Sequence, residues 1–273
     1  MTSLAFPTNL HAYLNRLEKK PSKSLSQNFL IDFNIVQKFI EAADLSSDDF
    51  VLEIGPGPGV FTEEILKKGA QVLAIEKDKG FAEGLREQHH SSHLLQVLEG
   101  DFLEIDFLPL LPKGKKIKVL SNLPFQLTSP ILGKLLPLEN QIEFCLFIMQ
   151  KEVAERIVAK PKSKAFSPLS IFAQSYATPS LCFHISSSCF FPKPKVTCSA
   201  LLLTLHPPIC EKPEHFLSFI RTPFQQRRKK LTSTLPFPSA KILETLKKLE
   251  LSENARPEEL DLNSWVDLYR EFH

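Results

Sequence analysis

Five short runs of β-branched and apolar residues recur along the chain, at 50-54 (FVLEI), 71-76 (QVLAIE), 94-98 (LLQVL), 117-121 (IKVLS) and 142-149 (IEFCLFIM), with helix-compatible stretches between them. A helix after each strand carries the chain back across the sheet, so this alternation predicts an α/β fold with a mostly parallel sheet covered on both faces. Two later runs, 181-186 (LCFHIS) and 196-205 (VTCSALLLTL), are joined by a Pro-rich loop instead of a helix. They are expected to finish the sheet as antiparallel strands at its edge. From Pro207-Pro208 onward the pattern turns helical without a strand signal, which predicts a small all-helical C-terminal domain over 208-273.

A chain of 273 residues can bury a core of this kind without covalent staples. Its five cysteines (Cys145, Cys182, Cys189, Cys198, Cys210) are odd in number and lack C-x-x-C spacing, so they read as reduced, small hydrophobes. His89, His90 and His93 lie in a polar stretch with no thiolate or carboxylate partner nearby, and no metal is expected. No apolar run reaches the ~20 residues that span a bilayer, and the start lacks the pattern of a secretory signal, so a cytoplasmic, non-membrane protein is expected. A net charge of +2 gives no bulk electrostatic argument for nucleic-acid binding. Positive charge is clustered instead, at Lys19-Lys20-x-x-Lys23, Lys113 to Lys118, Lys160-x-Lys162-x-Lys164, Lys193-x-Lys195 and Arg227-Arg228-Lys229-Lys230.

The first strand runs into Glu53-Ile54-Gly55-Pro56-Gly57-Pro58-Gly59 and then VFTEEILKKG. Glycines permit unusual torsions and close ligand approach, and the following helix offers free N–H groups. Dinucleotide folds use G-x-G-x-x-G; here Gly59 is followed by Val60. The G-x-G-x-G form behind an acidic residue resembles the first motif of S-adenosylmethionine methyltransferases. About 20 residues on, Glu76 closes the second strand, where a carboxylate can accept both hydroxyls of a ribose. Asp101, in EGDF after the third strand, stands where it can accept from an adenine amine. Either acid alone would be an ordinary surface carboxylate. Aligned at the carboxyl edge of successive strands, they define a nucleoside site.

The fourth strand ends in Ser121-Asn122-Leu123-Pro124-Phe125. Pro124 forces Leu123 toward extended backbone, which keeps the Leu123 carbonyl out of a helix. That carbonyl and the Asn122 side-chain oxygen form two acceptors for the protons of one amino group. An N6 amine has its lone pair delocalised into the ring, and it becomes tetrahedral and positive as it attacks a sulfonium methyl. Two acceptors stabilise that growing charge, and Phe125 offers a face on which an extruded base can stack.

Together these motifs resemble those of the ribosomal RNA adenine dimethylases, nearest their small-subunit branch. The resemblance spans nearly the whole chain: KKPSKSLSQNFLID, VLEIGPGPGVFT, IEKD, EGDFLEID, SNLPFQLTSPIL, MQKEVAERIVAKPKSKAFSPLSIFAQ, FFPKPKVTCSALL and FIRTPFQQRRKKLTSTL. It implies a Rossmann-like S-adenosylmethionine methyltransferase domain over 1-207, with an N-terminal segment 1-45 contacting RNA and cofactor, and a helical RNA-binding domain over 208-273. It implies that Asn28, Leu30, Gly55, Gly57, Glu76, Asp101 and Asn122 hold S-adenosylmethionine, and that Asn122, Leu123, Pro124 and Phe125 form the catalytic target-base motif. The implied reaction is N6,N6-dimethylation of two adjacent adenosines in the 3′-terminal hairpin loop of small-subunit (16S) rRNA, on an immature 30S particle, by a monomer. Two departures stand out. Phe125 replaces the family's usual Tyr, losing a hydroxyl but keeping the ring, and Ser26 replaces the glycine common before Q-N-F-L.

RNA contacts are expected from Phe191, Lys193 and Lys195, where a rigid basic loop can close the other face of a flipped adenine. Arg227 and Arg228, expected on a helix of the small domain, suit phosphate tracking. Other readings remain open from sequence: a single-site large-subunit rRNA adenine N6-methyltransferase, a DNA or small-molecule methylase on the same cofactor fold, and an assembly factor whose catalysis is secondary.

Overall fold

The computed structural model describes residues 3–22 and 25–273; Lys23 of the first basic run lies outside them. The strands are β1 (Phe29–Leu30), β2 (Phe50–Ile54), β3 (Gln71–Glu76), β4 (Leu95–Glu99), β5 (Ile117–Asn122), β6 (Ile142–Gln150), β7 (Ala177–Ile185), β8 (Phe190–Phe191) and β9 (Cys198–Leu205). Seven of them form one sheet in the order β4-β3-β2-β5-β6-β9-β7. Neighbours from β4 to β6 run parallel and β6–β9 runs antiparallel. The sheet therefore follows the α/β expectation, and β7 closes it at the edge beyond β9.

Helix α1 (Pro7–Arg16) precedes β1, and α2 (Phe33–Ala42), α3 (Val60–Lys67), α4 (Lys79–Gln88), α5 (Thr128–Leu135), α6 (Lys151–Ile157) and α7 (Pro168–Tyr176) lie between strands. α2 shows how sequence sets an element: Asp32 caps it by accepting from the N–H groups of Asn34 and Ile35, and Val36, Phe39 and Ile40 fall on its buried face at helical spacing. α4 repeats the device, with Asp78 accepting from Gly80 and Phe81.

From β2 the chain moves outward through β3 to β4, then returns to place β5 on the other side of β2. That reversal opens a crevice at the carboxyl ends of β2 and β5, the place where open α/β sheets receive ligands. Register keeps the edge level: Ile54 sits opposite Ile75, and Glu76 opposite Glu99. The ladder continues one step further, with Gly55 N–H donating to the Ile75 carbonyl (2.9 Å) and Gly100 N–H to the Glu76 carbonyl (2.8 Å).

The chain divides into two compact units, Met1–Ala154 with Ser180–Leu205, and Glu155–Pro179 with His206–His273. This revises the expected boundary at 207/208. The second unit holds α8 (Pro213–Phe224), α9 (Ser239–Lys248) and α10 (Leu262–Phe272), as the helical pattern implied. It also takes residues 155–179, because Ala159, Phe166 and Ile171 share an apolar cluster with Phe216, Ile220 and Trp265. Full burial of a Phe or Ile side chain such as Phe166 or Ile171 contributes about 1.5–3 kcal/mol, so the allocation follows from burial and not from chain order.

Candidate active site

The glycine turn works through backbone freedom. Gly55, Gly57 and Gly59 all have positive φ, at 63°, 55° and 92°. A Cβ on Gly59 would lie 2.5 Å from the Leu85 side chain and one on Gly57 3.0 Å from Phe29. A Cβ on Gly55 would meet nothing within 4 Å, because that position faces the open crevice. Beyond the turn, α3 starts at Gly59 with no side-chain cap, which leaves its first N–H groups uncommitted by any cap.

Glu76 anchors this turn. Its carboxylate is 5 % exposed, and it accepts from Gly57 N–H through Oε2 (2.8 Å) and from Asp78 N–H through Oε1 (2.7 Å). Burial raises its pKa above the ordinary carboxylate value, while the backbone donors pull the other way. Behind it, Glu53 is 1 % exposed and accepts from the Thr62 hydroxyl at 2.6 Å. Burial pushes the Glu53 carboxyl up to about 8. Glu53 does not line the crevice; it braces the first turn of α3.

Asp101 follows β4. Its Oδ2 pairs with Lys77 Nζ (2.7 Å) and its Oδ1 accepts from Leu103 N–H (2.9 Å). The Lys77 hydrogen bond is the main reason its pKa falls below the usual carboxylate range. Lys77 escaped notice in the sequence because nothing local links it to a residue 24 positions away.

Asn122 ends β5. Its Nδ2 donates to the Asn28 carbonyl (2.7 Å), which fixes the amide plane and leaves the side-chain oxygen as its acceptor end. Ser121 ties the same strand end to β2 through its hydroxyl and the Ile54 carbonyl (2.5 Å). After the strand, Leu123 N–H donates to Ile148, and Leu127 N–H turns back to the Pro124 carbonyl (2.9 Å) rather than to that of Leu123. The Leu123 carbonyl thus stays out of the helical ladder, as the following proline dictates.

These groups meet in one cavity of ≈ 220 Å³, whose lining includes Asn28, Gly55, Gly57, Glu76, Asp101, Asn122, Leu123, Pro124 and Phe125. Two of the residues named from the sequence lie outside this lining. Leu30 is 2 % exposed and lies in the β1–β8 ladder opposite Phe190, outside the cavity lining. Phe191 pairs with Phe29 in that ladder, and its ring packs edge-on against His11 with centroids 4.5 Å apart; it does not line the cavity either. Lys193 and Lys195 are exposed on the loop that follows. Just before β1, Ser26 has φ 53°. An L-residue in that left-handed region costs roughly 1–2 kcal/mol, which gives a physical reason for the glycine usual at this place.

In the second unit Arg227 and Arg228 do not lie on a helix. Pro223 near the end of α8 supplies no N–H, and the chain tightens into successive turns, with Gln226 N–H on the Pro223 carbonyl and Lys229 N–H on that of Gln226. Arg227 is spent internally: Nε donates to Glu258 at 2.6 Å, and a second guanidinium nitrogen donates to the Lys164 carbonyl at 2.8 Å. Arg228 is exposed.

A parallel sheet with a strand-order reversal, a glycine turn anchored by a buried acid and an acceptor motif on the neighbouring strand define an S-adenosylmethionine-dependent methyltransferase. The residues present fit that cofactor: an open glycine backbone, a buried acceptor at Glu76 and a second carboxylate at Asp101 surround one cavity. The ribosomal RNA adenine dimethylase family model matches residues 18–273, and the chain belongs to that family. It is 38 % identical to the ribosomal RNA small subunit methyltransferase A of Protochlamydia amoebophila over 98 % of this chain and 96 % of that one. Identity to the same-named protein of Chlamydia caviae is 37 %, over 98 % and 97 %. A crystal structure of a dimethyladenosine transferase from Plasmodium falciparum superposes with a TM-score of 0.77 at 25 % identity, covering 89 % of this chain and 97 % of that chain. The protein is an rRNA adenine dimethyltransferase that uses S-adenosylmethionine.

Proposed function

We propose that this enzyme converts two adjacent adenosines in the 3′-terminal hairpin loop of small-subunit (16S) rRNA to N6,N6-dimethyladenosine, as a cytoplasmic monomer acting on an immature 30S particle. The observation that supports this most is the Asn28–Asn122 hydrogen bond, which holds the Asn122 amide at the wall shared by the glycine turn and the Asn122–Phe125 motif. When bound, S-adenosylmethionine supplies an electrophilic methyl on a sulfonium, a reactivity carried by the cofactor itself. Everything else is positioning. Glu76 would accept from the ribose hydroxyls, the Gly55 backbone would admit close contact, and Asp101 would accept from the adenine amine. The Asn122 oxygen and the Leu123 carbonyl accept hydrogen bonds from the N6 amine of the target base, from two N–H groups in the first transfer and one in the second, and stabilise the cation developing there before it loses a proton to solvent. Phe125 stacks on the base, a contact worth about 1–3 kcal/mol. The names of the two bacterial relatives favour the small subunit over the large one.

The direct test is mass spectrometry of small-subunit particles incubated with the protein and methyl-labelled cofactor. Two labelled dimethyladenosines in one 3′-terminal fragment are expected; label on a single adenosine, or only in large-subunit RNA, overturns the proposal. For RNA contact, the exposed Arg228, Lys193 and Lys195 are assigned to phosphates, while Arg227 braces its own unit. Arg228→Ala is expected to lower RNA affinity and reduce the slope of log affinity against log salt by roughly 0.7–0.9, with melting unchanged. Arg227→Ala is expected to lower the melting temperature instead, since it leaves Glu258 without its partner. Salt titration of binding beside thermal melts reads both, and reversed outcomes would exchange the two roles.

A further inference from the structure

Lys134 projects from α5, the helix that follows the acceptor motif, one turn beyond the cavity-lining Ile131. Its ammonium donates to three main-chain carbonyls of the turn after β4: Phe102 (2.7 Å), Leu103 (3.1 Å) and Ile105 (2.7 Å). That turn coils back on Asp101, whose carbonyl accepts from Glu104 and Ile105 N–H (both 3.0 Å) while its side chain accepts from Leu103 N–H. With the amides directed toward Asp101, the carbonyls converge on the opposite side like the end of a helix, and such an end takes a cation. Two rings complete the cage. Lys134 Nζ lies 5.0 Å from the centroid of Phe102 and 5.5 Å from that of Phe107, and those rings stack on one another at 5.2 Å.

Asp101, Phe102 and Leu103 line the cavity from one side, and Asn122 to Leu127 line it from the other. Lys134 is a polar link from the helix of the second wall to the backbone of the first, made without entering the cavity. We propose that Lys134 is a positioning residue for cofactor binding: it pins the 101–105 turn to α5, and so sets the spacing between the wall that receives the cofactor's adenine and the motif that receives the target base. This deepens the assignment of the cavity as the cofactor site and rests on it. The wild-type arm of the experiment tests that assignment separately.

Calorimetric titration of the intact protein with S-adenosylhomocysteine, without RNA, is the measurement. Wild type must bind; if it does not, the cofactor assignment of the cavity fails and not the role of Lys134. Given binding, Lys134→Met, which keeps the stem and removes the three donors, is expected to raise Kd about tenfold, equivalent to about 1.4 kcal/mol. RNA affinity should stay unchanged, and hydrogen exchange should quicken within residues 102–107. Lys134→Arg, which retains charge and several donors, is expected to recover most of the lost affinity. A Kd equal to wild type in a folded Lys134→Met protein, with or without a lower melting temperature, makes Lys134 a purely structural lysine and overturns the proposal. Should Lys134→Met not fold, Lys134→Ala, which also removes all three donors and suits a helix, is titrated in its place, and wild-type affinity there has the same consequence.

Discussion

Glu76→Ala is expected to weaken binding of S-adenosylhomocysteine by roughly 100-fold or more and to abolish methyl transfer at ordinary cofactor concentrations. A hydrogen bond to a charged group contributes about 1.5–3 kcal/mol, and this carboxylate has two jobs at once. It is the acceptor assigned to the ribose, and it holds the Gly57 and Asp78 N–H groups from inside the protein. Alanine removes both, leaving those donors unpaired at a buried site and the glycine turn free to reorganise. Glu76→Gln keeps the size and one acceptor, so it should fall between alanine and wild type. Calorimetry on the three proteins gives the ranking; equal affinity for wild type and Glu76→Ala would detach this residue from the ligand altogether. Asp101→Ala should cost less, since its two oxygens are already engaged by Lys77 and Leu103 and the site is more open.

The second large effect is expected at Asn122, and it should fall on kcat. Removing one preorganised group that stabilises transition-state charge typically costs 10²–10³ in rate, so Asn122→Ala is expected to slow single-turnover methyl transfer by about that factor. RNA affinity should stay within about threefold of wild type, because phosphate contacts elsewhere supply most of it. Cofactor affinity should drop only modestly, through the lost tether to the Asn28 carbonyl. A rapid chemical quench with labelled cofactor at saturation isolates the step. If the rate survives while affinity collapses, Asn122 positions the cofactor and is not the acceptor for the reacting amine.

Much of this was legible in the amino-acid order, for identifiable reasons. Strand periodicity is local, so the runs at 50-54, 71-76 and 117-121 reappear as β2, β3 and β5 with at most one residue of difference. The glycine turn and Asn122–Phe125 sit where those strands end, which made their convergence deducible from sheet topology alone. What was missed depends on contacts across long separations. Leu30 shares the Q-N-F-L motif with Asn28, yet its side chain is committed to the ladder against Phe190. Residues 225–230 carry good helix formers, but Glu258 and the Ala255 carbonyl, which accepts from Leu231 N–H, draw them into turns. Lys77 and Lys134 read as ordinary surface lysines because their partners lie 24 or more positions away. The left-handed Ser26 leaves no trace in a single sequence, and only the glycine usual in the family hinted at it.

The allocation of residues 155–179 to the helical unit has an evolutionary corollary. The chain passes between the two units at three places, after Ala154, before Ser180 and after Leu205, so the helical unit is an insert and a tail stitched together. Grafting 206–273 alone onto another methyltransferase would deliver Phe216, Ile220 and Trp265 without the Ala159, Phe166 and Ile171 that shield them. Shortening the chain at Leu205 would leave those three facing solvent, an invitation to aggregate. Exchange of this unit between related enzymes therefore requires both segments from one parent, which ties the inheritance of a central stretch of the gene to that of its far end.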